Sequence, residues 1–135
     1  METVKTTYLG NLRTQAVHTK SGATIFTDAP ADNHGKGEAF SPTDLFAASY
    51  ASCALTIIGI ATQTHGFNIE GAVVKTTKIM GENPRRIAEL KVDFTFPPNN
   101  YSEKERKIIE HSIKHCPVNN SLPAELKITK TINYL

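Results

Sequence analysis

The chain has 135 residues, no tryptophan, only two cysteines and no block of like charge. Each shortage excludes a class. Two cysteines in a chain long enough to bury its own core do not make a disulfide-stapled secreted miniprotein. The balance of 15 Lys and Arg against 13 Asp and Glu leaves a net charge of +2 and a pI near 8.6. With no basic-aromatic stripe, that balance asks for neither nucleic acid nor an anionic membrane surface. The opening Met1-Glu2-Thr3-Val4-Lys5 lacks the apolar core of a secretory signal, so a reducing cytoplasm is the expected compartment. No Walker or Rossmann glycine motif is present, which removes the commonest nucleotide cradles. There is no C-x2-C pair, His115 and Cys116 are adjacent and point apart, and His18, His34, His65 and His111 read as scattered. No metal is therefore expected. A Cys–His hydrolase would lack its oxyanion glycine signature.

What remains is an ordinary globular composition, 39% hydrophobic and 21% charged, read as one domain over residues 1–135. The first third is rich in Thr, Val and Leu. It predicts strands over 4–9, 12–18 and 23–27, with Gly10-Asn11 and residues 19–22 as turns. Residues 28–39 form a loop by composition, and a loop that long inside a domain is often functional. Ser41-Pro42-Thr43-Asp44 is a helix start, with Ser at the N-cap, Pro at N1 and an acid in the first turn.

From Leu45 through Ile69 there is no Asp, Glu, Lys or Arg, and thirteen of the seventeen residues 45–61 are apolar. A membrane span needs about 20 strongly apolar residues. This segment is rich in Ala and Ser, and reads as a long helix buried on nearly all sides of the protein, ended by Gly66. Strands over 68–80 and 86–96 follow, with a register break expected at Ala88-Glu89. Ser102 and Glu105 make a capping box for an amphipathic helix carrying Ile108, Ile109 and Ile113. A short helix or turn over 118–122 and a strand over 125–132 close the chain. The fold class is α+β, with helices against antiparallel sheet.

Cys53 lies in the middle of the charge-free helix, where a buried free thiol most simply serves as a small core hydrophobe. Burial raises a thiol pKa and the helix dipole acts only on the first turn, so a reactive Cys53 needs a cation from elsewhere. Cys116, before Pro117, sits at an element boundary, either as N-cap of the next turn or as the frayed end of the preceding helix. Arginine is scarce: Arg13 interrupts a strand, Arg85 and Arg86 open another, and Arg106 falls on a helix.

The segment Phe40–Cys53, FSPTDLFAASYASC, with CPV at Cys116–Val118, resembles the OsmC/Ohr family of thiol peroxidases, in its SPTDL-type branch. The resemblance implies an OsmC-like fold, with antiparallel sheets around a long central helix, in an intertwined homodimer with active sites at the subunit interface. It implies reduction of organic hydroperoxides, with Cys53 peroxidatic, Cys116 resolving and Arg13 stabilising the Cys53 thiolate. It names no bound cofactor and an external dithiol or lipoylated protein as reductant. Thr43 stands where the family's better-known members carry the glutamate that orients the arginine. Asp44, one position on, and Glu38 are then the candidate partners of Arg13. Phe46, Tyr50 and Ile57 are expected to line an apolar substrate pocket that favours organic peroxides over hydrogen peroxide. Two other readings share this fold: a non-catalytic binder of an apolar small molecule at the dimer interface, and a thiol redox sensor.

Overall fold

Extended β-branched segments need partners for their backbone groups. In the computed structural model, which describes all 135 residues, they find them in two separate sheets. The chain divides into two compact units, Met1–Phe46 and Ala47–Leu135.

The first unit is an antiparallel meander of β1 (Val4–Gly10), β2 (Arg13–His18) and β3 (Thr24–Asp28). The β1–β2 turn falls one residue later than the sequence suggests. Asn11 and Leu12 are its central pair, both at positive φ (54° and 65°), and the register shifts between Tyr8 and Gly10. Two positive-φ residues in succession match the twist of a two-residue hairpin, with the preceding glycine taking up the shift. Residues 28–39 are not structureless. Ala31–Asn33 makes a short 3-10 turn, and Gly35 and Gly37 donate backbone bonds to the carbonyls of Pro30 and Ala29. At Gly35 a Cβ would come within 1.7 Å of the Ala29 carbonyl oxygen, so no side chain fits there.

Helix α1 (Pro42–His65) starts where its cap signals place it. Ser41 Oγ accepts from the Asp44 N–H at 3.0 Å, and Asp44 accepts from the Ser41 N–H at 3.0 Å, a reciprocal box with Asp in the usual place of Glu. Gly66, at φ 74°, follows the last helical residue. By length and composition alone α1 is long and apolar enough to cross a membrane. Its buried residues, however, form a single stripe of Ala47, Tyr50, Ala54, Ile58 and Thr62. The expected burial on nearly all sides is not found in one copy of the chain: Ile60 is 58% exposed. A helix presents only one face to one core, and Ile60 lies off that face.

The second unit holds β4 (Val73–Gly81), β5 (Arg86–Phe96) and β6 (Lys127–Tyr134), with β5 central. Leu90, Val92, Phe94 and Phe96 are buried at alternate positions along β5, as a strand with one face on the core requires. The register break occurs where the sequence suggests it, Ala88 being the unpaired residue as Ile79 faces Glu89 and Met80 faces Ile87. The expectation of purely antiparallel sheet is corrected by β6, which runs parallel to β5. The segment between them carries α2 (Glu103–Lys114) and α3 (Pro117–Asn120), and a crossover of that length returns the chain in the same direction. The Ser102–Glu105 capping box forms as read. Ile109 and Ile113 of α2 join the α1 stripe and β5 in one core.

Candidate functional site

Cys116 is completely buried, and the open choice about its setting resolves to the N-cap of α3. Its Sγ accepts from the Asn119 N–H at 3.3 Å and Pro117 occupies the first turn. Pro117 fits because the first helical N–H has no intrahelical acceptor to lose. Cys53, half-buried on α1, is near enough to Cys116 to influence its protonation. Both thiols are free. Burial pushes the Cys116 thiol up, the Asn119 N–H opposes this, and the nearby Cys53 thiol adds to it. The structure thus brings together two cysteines that are distant in sequence, one on the charge-free helix and one on a cap whose proline holds the backbone.

Of the residues expected to line a pocket, Phe46 is exposed and Ile57 half-buried, while Tyr50 is wholly inaccessible within the core. The Tyr50 hydroxyl has no hydrogen-bond partner. Burial, with a smaller contribution from Cys116, pushes its pKa up to about 12.

In the first unit, Arg13 and Asp28 are paired residues of β2 and β3. Arg13 Nε donates to Asp28 Oδ1 at 2.8 Å and Nη2 to Oδ2 at 2.9 Å, a bidentate fork. Glu38 is a second, looser acceptor for Nη2 at 3.5 Å. Asp44, the other expected partner, instead caps α1 through Ser41. Sequence reasoning missed Asp28. The signal was available in the pairing: counting outward from the β2–β3 turn, one residue on each strand, sets Arg13 opposite Asp28. The hydrogen bonds from Arg13 hold the Asp28 carboxyl below its ordinary value. Burial works against them, and the charges of Arg13 and Lys36 assist. The same hydrogen bond raises Arg13. Asp28 is fixed by more than the arginine, since its N–H donates to the Phe40 carbonyl and the next residue's N–H to that of Leu12. The pair borders a cleft of about 170 Å³ that also includes Leu9, Gly10, Asn11 and Lys36.

His18, His34 and His65 lie on separate elements, as read. His111 and His115 stand one turn apart on α2 and its cap, their rings stacked at 4.0 Å, and His115 Nδ1 bonds the His111 carbonyl at 2.8 Å. No group of three or more His, Cys, Asp or Glu side chains is arranged to hold a metal ion.

A mixed α+β chain of two three-stranded sheets, with a long helix before the second of them, is the OsmC fold. The chain belongs to the OsmC-like family, whose model, "OsmC-like protein", matches residues 35–130. Among solved structures it is similar to a Psychrobacter arcticus protein provisionally named for osmotic-stress induction and a detoxification response. The identity is 45% and the TM-score 0.93, over 98% of this chain and 96% of that one. At the level of fold it resembles the organic hydroperoxide resistance protein OsmC of Legionella pneumophila (18% identity, TM-score 0.72, 98% of each chain). It also resembles an organic hydroperoxide resistance protein of Elizabethkingia anophelis (16% identity, TM-score 0.76, 100% of this chain and 98% of that one). No curated protein matches the chain.

Proposed function

We propose that this protein is a cysteine-based peroxidase that reduces organic hydroperoxides in the cytoplasm as part of oxidative-stress defence, acting as a homodimer. The observation that supports the reading is the proximity of two free thiols, Cys53 and Cys116, each at its motif position. The Cys53 thiolate attacks the terminal peroxide oxygen. The S–O bond forms as the O–O bond breaks, and the departing alkoxide takes up a proton and leaves as the alcohol. Cys53 is then a sulfenic acid, and Cys116 condenses with it to give a disulfide and water. An external dithiol, of the lipoyl type, reduces that disulfide by exchange and is itself oxidised. No bound cofactor or metal takes part.

Arg13 supplies the cation that favours the Cys53 thiolate, and Asp28, not Glu38 or Asp44, holds it in orientation. Asp28 thereby compensates for Thr43 in the position of the usual glutamate. Apolar side chains on α1, Phe46 and Ile57 among them, favour the alkyl part of an organic peroxide. The test is consumption of an alkyl hydroperoxide with dihydrolipoamide by wild type, Cys53→Ser and Arg13→Ala. Turnover abolished by Cys53→Ser and strongly reduced by Arg13→Ala supports the reading, and loss unaffected by Cys53→Ser overturns it. A single stoichiometric oxidation without turnover would identify a redox sensor. No reaction, with an apolar molecule retained by the purified protein, would identify a binding module.

A further inference from the structure

The run His111-Ser112-Ile113-Lys114-His115 sets two histidines at the i, i+4 spacing, which places their side chains on one helix face, one above the other. Ser112 and Ile113 turn into the core, while His111 and His115 are both exposed. Their rings are stacked, with centroids 4.0 Å apart and planes inclined by 21°. Lys107 shares the same stripe one turn earlier. Its ammonium reaches back to Glu103 Oε1 at 3.6 Å, toward the start of the helix and away from the rings.

The His115 ring is fixed in a definite tautomer. Its Nδ1 meets the His111 carbonyl at 2.8 Å. A carbonyl oxygen only accepts, so Nδ1 carries a proton and the lone pair of the neutral ring lies on Nε2. A backbone carbonyl on one ring nitrogen is how proteins preset the other as a metal ligand. The backbone beneath is pinned too. The His115 N–H donates to the Ser112 carbonyl at 3.2 Å, and Asn119 Nδ2 to the Lys114 carbonyl at 3.1 Å. His65 makes the same local bond to the Ala61 carbonyl at 2.9 Å, but the residue one turn back is an alanine and supplies no second imidazole.

We infer that His111 and His115 together chelate a divalent transition-metal ion of the class that prefers imidazole, such as nickel, copper or zinc. Each ring gives one nitrogen lone pair, His115 through Nε2. Metal–nitrogen bonds of ~2.0–2.1 Å hold two ligand nitrogens about 3 Å apart. Rings whose centroids are 4.0 Å apart reach that spacing by tilting, with no movement of the helix. No third His, Cys, Asp or Glu joins the pair, so water fills the remaining positions. A site with two protein ligands binds more weakly than a closed four-ligand site and exchanges its ion with solution. The i, i+4 juxtaposition exists only in the folded helix, so the ion stabilises the folded chain. The site is separate from the thiol cycle and does not depend on it.

The experiment titrates nickel(II) into the full-length protein, free of any affinity tag, and follows calorimetric heat and melting temperature. Nickel is chosen because, unlike copper, it leaves thiols unoxidised. One ion per chain and a raised melting temperature are expected. His111→Gln and His115→Gln should each weaken binding about tenfold or more and lose the thermal shift, since removing a ligand costs at least as much as disturbing its second shell. Without metal both should melt close to wild type, because the two side chains are exposed. His65→Gln should bind as wild type does. Paramagnetic nickel should also broaden the ring proton signals of His111 and His115 in the wild-type protein before those of His18, His34 and His65, a readout that needs no variant. Absence of binding in wild type overturns the inference, and so does binding unchanged in either His111→Gln or His115→Gln. Binding that is lost in Cys53→Ser but kept in the histidine variants would place the ion on the thiols and overturn it equally.

Discussion

Arg13 and Asp28 face each other across the β2–β3 pair, and the Arg13 fork closes on both oxygens of a carboxylate whose side chain is only 4% exposed. The fork uses Nε and Nη2, leaving Nη1 outside it. A guanidinium fixed by two parallel bonds has its plane set as well as its position. Asp28→Asn should therefore reduce hydroperoxide turnover on the order of 10- to 100-fold, the penalty for a misplaced group, while leaving the protein folded. Glu38→Gln should cost at most a few-fold, since Glu38 is 64% exposed and 3.5 Å away. Steady-state rates of the two variants decide the order, and equal losses would return Glu38 to the role of principal partner.

The same pair gives a pH dependence with a fixed sign. Asp28 is held below its ordinary value when folded, chiefly by hydrogen bonds from Arg13. Its contribution to stability is thus fully present above the unfolded aspartate value of about 3.9, and is lost as pH falls through the lower folded value. Melting temperature should decline below about pH 4, and the decline should be shallower in Asp28→Asn, which has no proton to gain there. Thermal melts between neutral pH and pH 3 measure the difference in slope. An unchanged slope would mean that Asp28 is no more acidic folded than unfolded.

Much of this could be read from the chain, and the exceptions have physical causes. Caps announce themselves through a few adjacent residues, so Ser41 with Asp44 and Ser102 with Glu105 were legible, as was the strand alternation from Leu90 to Phe96. The β1–β2 turn was misplaced by one residue because Leu12 adopts a positive φ that glycine or asparagine normally supplies. The direction of β6 was hidden because a strand's pattern records which face is buried and not which way it runs. The two cysteines were visible as a pair through their motifs. Asp28 escaped because it ends a strand and opens a loop, and a carboxylate there reads as turn chemistry until its cross-strand neighbour is counted.

Cys116 carries two duties that mutation can separate. As N-cap it accepts from the Asn119 N–H, and as a thiol it is the proposed resolving partner of Cys53. Cys116→Ser keeps a cap oxygen and removes the sulfur, so Cys53 should persist as a sulfenic acid after one equivalent of hydroperoxide, captured by a dimedone-type reagent. Cys116→Ala loses the cap as well, and should be destabilised by a further ~1 kcal/mol relative to the serine variant. Chemical denaturation compares the two. Full disulfide-free turnover in Cys116→Ser would show that the external dithiol attacks the sulfenic acid directly, and Cys116 would then not be the resolving residue.

The two sides of α1 should respond to mutation in opposite ways. Ala54 is fully buried in the core shared with β5 and α2, where its small side chain permits close approach. Ala54→Leu adds three carbons with nowhere to go, and should cost about 1–3 kcal/mol on denaturation whatever the protein concentration. Ile60 on the same helix is 58% exposed in a stretch with no charged side chain. In a lone chain Ile60→Arg should change stability by less than about 0.5 kcal/mol, as surface substitutions do. In the proposed homodimer a second copy covers this face, and an arginine there would bury an unpaired charge. Ile60→Arg is accordingly expected to shift sedimentation from dimer to monomer at micromolar concentration and to abolish the concentration dependence of melting that a dimeric wild type shows, with Ile60→Leu as the silent control. A wild-type protein that sediments as a monomer, or an Ile60→Arg variant as dimeric as wild type, would remove Ile60 from the subunit interface.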